Sequence, residues 1–374
     1  MKHLSCIKPD WRNWTVGITG VNARPDNPGP GLAVARCLRE SVGFSGRLIG
    51  LGYEVLDPGL YNAAIFDASY LLPYPSVGSE GQWERLVEIH ATERLDVIIP
   101  CLDAELSTFA HNEAQFASQG IRMLVPTLGQ LRARAKDNLG ELCRRLDLDT
   151  PETLKVSDIG FFDRCREEGW SFPLVVKGIY YDATVVESPD EAKSAFHHIA
   201  AQWGYPVLVQ QFVGGYEVNL TAVGDGKGNM LGPVMMRKRA LTNKGKAWAG
   251  ISIRDDELER MGRIIMEGLN WQGPLEVEAL RGDDGRLYLI EINPRFPAWV
   301  YLTKGVGCNL PQLLLRQIAG EHPTGLPSPK PGTLFIRYAE ELITSLEQFQ
   351  AMMVDGVLIA PGEKNAPRNL IGRS

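Results

Sequence analysis

Residues 275–295 hold the densest set of groups that could do chemistry. Glu278 stands on one apolar run, and Glu291, Asn293 and Arg295 close a second in the order Glu-Ile-Asn-Pro-Arg. Asp283-Asp284-Gly285 between the runs has the composition of a turn, so they read as a hairpin. Residues 291 and 293 are two apart, and side chains at that spacing leave the same strand face. In such a hairpin Glu278 falls near the Glu291 end, and two carboxylates and an amide oxygen converge. Oxygen donors suit magnesium, or manganese in its place, with phosphate and water completing the shell. Like charges about 4 Å apart repel by roughly 4 kcal/mol at an effective dielectric of 20, so the cluster wants a cation. Arg295 adds a planar fork of donors for phosphate or carboxylate. The competing account is a solvated strand face. It suits Glu276, which reads as alternating outward, but explains Asn-Pro-Arg at an apolar strand end poorly.

The scaffold for these groups is large. A chain of 374 residues suggests two or three subdomains rather than one core. Its 44% apolar and 22% charged content is ordinary for a globular protein. A net charge of −6 speaks against a broad nucleic-acid grip, though not against a local phosphate pocket. The six cysteines (Cys6, Cys37, Cys101, Cys143, Cys165, Cys308) have no metal-ligand spacing and read as free thiols. The opening residues lack the apolar core of a signal peptide, and no run approaches the ~20 apolar residues of a membrane helix. A cytoplasmic protein with no membrane partner is therefore expected.

Short apolar strands at 14–20, 47–50 and 96–100 alternate with helices at 32–40 and 82–93. That order implies a parallel sheet covered on both faces, ending near residue 125. Residues 126–150 read as a helical linker stopped by Thr150-Pro151. Strands at 172–177, 207–212, 217–223, 230–241, 275–280 and 287–292 follow, with helices at 190–203 and 255–269. This stretch reads as α+β, so the whole is α/β followed by α+β. The expected boundaries are 1–125, 126–210 and 211–374, and the stretch from about 323 onward is the least informative.

The pattern at 278–295, with the order of the other pieces over roughly residues 15–320, resembles the ATP-grasp superfamily. Within it the chain is most similar to the carbamoyl phosphate synthase large-subunit-like, carboxylate–amine ligases. Biotin carboxylase and D-alanine–D-alanine ligase are more distant. The resemblance implies an N-terminal Rossmann-like pre-ATP-grasp domain, a small lid and a larger ATP-grasp domain, with ATP between the last two. Glu278, Glu291 and Asn293 then hold magnesium.

Other residues follow from the same resemblance. Lys177, closing the strand 172–177, corresponds to the lid lysine that touches ATP phosphates. Its position alone says only that a lysine ending an apolar strand meets an anion or snorkels to water. Gln210, Gln211, Phe212 and Val213 resemble the hinge that presents main-chain groups and apolar walls to adenine. Gln210 stands where the family often has Glu. Glu217 has the spacing of the ribose-binding Glu, and without the resemblance it reads as a surface strand residue. Asn138 replaces the usual first phosphate-binding lysine. Lys136 is its substitute or a plain solvent-facing lysine. The flap at 178–185 carries a single glycine where the family's is glycine-rich. In the basic cluster Arg237, Lys238, Arg239, Lys244 and Lys246, Arg237 and Lys244 are the favoured inward pair, against a solvated strand end.

The activity implied is an ATP-dependent ligase. A small carboxylate becomes an acyl phosphate and an amine displaces phosphate, with release of ADP and phosphate. Arg295, Lys177 and Arg237 are the catalytic candidates, and a homodimer is compatible with the resemblance. A bicarbonate- or carbamate-phosphorylating enzyme is the alternative, and a catalytically degraded nucleotide-binding subunit is another. Asp103 and Glu105, at the carboxyl end of the strand 96–100, hint at a substrate role for the first domain. A solvated loop accounts for them equally. Trp299, Tyr301 and Lys304 read as an acceptor pocket or as core. The glycines at 17–31 do not form a dinucleotide loop.

Overall fold

The computed structural model describes residues 10–179, 182–323 and 325–361. Cys6 and the flap residues Tyr180 and Tyr181 lie outside the described residues. The first sheet holds β1 (Val16–Ile18), β2 (Leu48–Gly52), β3 (Ala68–Leu71) and β4 (Val97–Ile99). These run parallel in the order β3-β2-β1-β4. β1, β2 and β4 are buried along their whole length, as strands covered on both faces must be. A late strand, Val357–Ile359, adds antiparallel to β3, so the chain's end returns to its first unit. Between β1 and the helix Gly31–Arg39 the backbone packs against itself. A Cβ on Gly29 would stand 2.2 Å from the Gly20 carbonyl oxygen, which only glycine allows.

The stretch 126–150 is helical, but not as one continuous helix. It forms two short helices, Leu128–Ala133 and Leu139–Leu146. Thr127 caps the first by accepting from the Gln130 amide. The Gln130 side chain donates to the carbonyls of Leu269 and Asn270, fastening this segment to the end of a distant helix.

A second sheet contains β5 (Thr153–Val156), β6 (Leu174–Lys177), β7 (Ala183–Val186) and β8 (Val207–Gln211), in the order β5-β8-β6-β7. All its pairings are antiparallel. The helix Pro189–Trp203 buries Phe196 and Ile199 in this unit's core. Ser188 caps that helix and Pro189 begins it.

The third sheet is the largest. β9 (Gly215–Asp225), β10 (Met230–Leu241), β11 (Ala247–Ile253), β12 (Gln272–Gly282), β13 (Leu287–Asn293) and β14 (Leu334–Ile336) lie in the order β13-β12-β9-β10-β11-β14. One face is apolar: Val218, Leu220, Ala222, Leu275, Val277 and Ala279 meet Leu258, Met261, Ile265 and Met266 of the helix Asp256–Leu269. Strand alternation then sends residues 217, 219, 276 and 278 to the other face. A parallel unit and two antiparallel sheets make the observed α/β and α+β architecture. Among the described residues, no helix is long and apolar enough to cross a membrane.

Candidate active site

β12 lies between β9 and β13, and its register aligns the polar face. Glu276 stands opposite Thr221 and Asn293, and Glu278 opposite Asn219 and Glu291. Asn293 Nδ2 donates to Glu278 at 2.8 Å and to Glu276 at 3.1 Å. Glu276 does not alternate outward into solvent. It is buried, and accepts from Trp299 Nε1 at 2.7 Å and Asn219 Nδ2 at 2.9 Å. The reason is arithmetic: residues 276 and 278 share a face, so a cleft that takes one takes both.

Lys238 reaches this face from β10. Its Nζ lies 2.9 Å from Glu278 and 2.5 Å from Glu217. Burial alone would push the Glu278 carboxyl up. Lys238, with Lys246 and Arg295, outweighs it and holds Glu278 down at about 2. Glu276 is raised, first by burial and then by repulsion from Glu278. Burial opposes the charge on Lys238, but Glu278 and Glu217 raise its pKa overall. Arg237, one residue away, points elsewhere, with its guanidinium 3.7 Å from the Tyr216 ring centroid. Lys244 is exposed on the β10–β11 turn. Of the basic cluster, Lys238 and Lys246 line the cavity, not Arg237 and Lys244.

Arg295 joins the carboxylate row to the first unit. Its Nε donates to Asp103 at 2.6 Å, and Asp103 lies 3.6 Å from Arg134. Asp103 begins the helix Asp103–His111, just beyond β4. Burial acts against the Asp103 charge, but Arg295 and Arg134 hold its pKa below the usual carboxylate range. Glu105 is fully buried, accepting from the Cys101 and Leu102 amides and from Thr19 and Tyr53. It organises this corner from behind the cavity, whose lining does not include it.

The second sheet brings another charged group. Lys177 Nζ donates to Gln210 Oε1 at 3.0 Å, and Gln210 in turn donates to Thr153 at 2.7 Å. Burial, then Lys136, pushes the Lys177 ammonium down to about 8, partly offset by Glu291. Lys136 Nζ lies 3.4 Å from Glu291. Lys136, Lys177 and Glu291 are therefore neighbours. Asn138 turns its side chain to the Arg132 carbonyl. Gln211 approaches Glu152, and Phe212 is largely exposed beyond the strand end. Val213 follows it, half-buried.

A cavity of about 290 Å³ separates the carboxylate row from the first unit. Glu276, Glu278, Lys238, Lys246, Arg295 and Trp299 form one wall. The glycine-rich loop, Asp103, Tyr53, Glu54 and Tyr74 form the other. Glu54 accepts from Arg24 and Tyr74 at the far rim. Lys246 is half-buried and acts on Asp103 and Glu278 through its charge. Trp299 lines the cavity, whereas Tyr301 and Lys304 both bond Glu40 elsewhere.

The donor chemistry fits a hard divalent ion. Glu278, Glu291 and Asn293 offer oxygen, and the buried Asn219 Oδ1 on the same face lacks a hydrogen-bond partner. Among the described residues, no three His, Cys, Asp or Glu form a cage by themselves. Magnesium rarely uses an all-protein cage and relies on phosphate oxygens and water.

Lys238, Lys246, Glu276 and Asn219 were missed or passed over by sequence reasoning. Period-two counting from Glu278 finds Glu276, while the other three require the order of strands in the sheet.

No family model matches the chain. Solved structures do. It is similar to a biotin carboxylase complex from Campylobacter jejuni, at 14% identity and TM-score 0.66, covering 86% of this chain and 74% of that one. A 2-oxoglutarate carboxylase biotin carboxylase domain from Hydrogenobacter thermophilus, with MgADP, ADP and bicarbonate, matches at 17% identity and TM-score 0.63, covering 83% and 70%. The L-amino acid ligase from Bacillus licheniformis matches at 17% identity and TM-score 0.61, covering 82% and 74%. The chain has the ATP-grasp fold that these enzymes share.

Proposed function

We propose that the protein is an ATP-dependent ligase that activates a small carboxylate as an acyl phosphate and joins it to an amine, releasing ADP and phosphate. The observation that carries this reading is one row: Glu276, Glu278 and Arg295 stand on a cavity wall facing the first unit, and Asn293 bonds Glu278 behind them. Lys136 and Lys177 gather at Glu291, on the lid side of the same row. ATP would lie between the lid and the large sheet, with its phosphates toward Lys136 and Lys177. Gln210, Gln211, Phe212 and Val213 would border adenine, and Glu217 the ribose. Glu278, Glu291 and Asn293 would hold magnesium, with manganese as a substitute. Bound there, the ion would neutralise charge on the phosphate oxygens.

This chain's own side chains do the rest. Lys246 and Arg295 draw the substrate carboxylate to the cavity wall. The pairing of Arg295 with Asp103 fixes its fork before substrate arrives. A preset donor costs no reorganisation when charge develops, which is why such groups lower the barrier. The first-unit wall, from Tyr53 to Tyr74, receives the amine. The similarity to an L-amino acid ligase supports an amine acceptor. A bicarbonate-phosphorylating enzyme is the second reading, favoured by the bicarbonate in a similar structure. A reducing cytoplasmic setting agrees with the five described cysteines, which are free and buried. The test is ADP and phosphate release across a panel of carboxylate and amine pairs, with bicarbonate as one acid. Activity that survives Glu291→Ala would sink the metal assignment.

A further inference from the structure

Lys238 occupies an unusual place. Its ammonium is buried between Glu278, a candidate metal ligand, and Glu217, the candidate ribose ligand, at 2.9 and 2.5 Å. Only 7% of its side chain is exposed. The other charged groups packed against this point are Glu276, Lys246 and Arg295. Lys246 and Arg295 line the same cavity wall, and Arg295 is committed to Asp103. Glu278 therefore meets Lys238 as its direct ion-pair partner among the described residues.

We propose that Lys238 is a resident counter-ion of the metal end, holding the ligand-free cleft together and competing with the divalent ion for Glu278. The inference rests on the metal reading given above. The physical reason is that buried carboxylates cannot stand uncompensated. Glu278 needs positive charge whether or not an ion is bound. In the free protein Lys238 supplies it. When the divalent ion arrives with nucleotide, the ammonium must withdraw from Glu278 and share Glu217 or a phosphate oxygen. Two cations in contact with one carboxylate repel each other. A bare ion thus binds weakly, and the added phosphates make joint occupancy favourable. The ordering this imposes, nucleotide and ion together rather than ion first, is a property of Lys238 itself.

The experiment is Mn²⁺ binding followed by electron paramagnetic resonance, without and then with ATP. Lys238→Met keeps an unbranched side chain of similar length and removes the charge. The expected result is at least tenfold tighter Mn²⁺ binding by Lys238→Met without nucleotide. Thermal melting should show the variant destabilised in chelator and restored by Mn²⁺, with the wild type far less sensitive. The double variant Lys238→Met/Glu278→Gln should lose the gain. If Lys238→Met does not fold, Lys238→Gln and the double variant carry the comparison. Equal or weaker Mn²⁺ binding by a folded Lys238 variant, with ATP-dependent binding intact in the wild type, overturns the counter-ion proposal alone. Absence of Mn²⁺ binding in every protein, even with ATP, overturns the metal reading and this proposal together.

Discussion

Asp103 and Arg295 meet at 2.6 Å although 192 residues separate them in the chain. The pair crosses the seam between the first unit and the large sheet, beside the cavity. Removing Asp103 takes the direct partner from a buried guanidinium and leaves it Glu276, at 3.9 Å, as its remaining carboxylate contact. Asp103→Asn should cost about 2 kcal/mol of stability, as for a hydrogen bond to a charged group. It should also slow turnover by loosening the Arg295 fork. Denaturant unfolding and steady-state kinetics on the same variant would measure both effects.

Glu276 accepts from Trp299, Asn219 and Asn293 in a buried setting. Glu276→Ala orphans three donors and should cost on the order of 3 kcal/mol or more. Glu276→Gln keeps the shape but turns an amide toward those donors, so it should also destabilise. A Gln variant as stable as the wild type in urea unfolding would contradict this account.

Lys177 ionises at about 8 in the folded chain. An unfolded lysine ionises near 10.4. Between those values the unfolded chain holds a proton that the folded chain has released. Stability therefore rises with pH across that window, by on the order of 3 kcal/mol at most. Lys177→Met should flatten the rise, which urea midpoints at pH 7.5 to 10.5 would show. Phosphate beside Lys177 should raise its pKa again. Nucleotide binding near pH 8.5 should then take up a proton, seen calorimetrically as a dependence on buffer ionisation heat.

Gly29 sits where a Cβ would meet the Gly20 carbonyl oxygen at 2.2 Å. Gly29→Ala must displace backbone in the loop that lines the cavity. A loss of roughly 1–3 kcal/mol is expected from such overpacking. The Michaelis constant of the substrate held by the first unit should rise, with that of ATP little changed.

The hairpin of β12 and β13 was legible because apolar alternation and the Asp283-Asp284-Gly285 turn are local signals. The parallel start was legible from its apolar strands. β11 was not, because its Ala-Trp-Ala-Gly sequence carries small residues in place of a β-branched run. Of the candidate site, the grouping of Glu278, Asn293 and Arg295 was legible, because their spacing is short. Lys238 was hidden because choosing it over Arg237 requires knowing which face of β10 packs on the core. Period-two counting puts Glu276 on the same face as Glu278, but its burial was hidden, because two of its donors come from β9 and from Trp299 beyond β13. The cavity depends on the docking of the first unit, which no local pattern records.

The most direct test is a coupled assay of ADP and phosphate release, with wild type and Glu278→Gln under magnesium. The account predicts release by the wild type that requires both a carboxylate and an amine. It also predicts a loss of at least about 100-fold in Glu278→Gln, the scale of removing one preset electrostatic group. Wild-type rates in Glu278→Gln, or a wild type that turns over no ATP with any acid and amine pair, would contradict it.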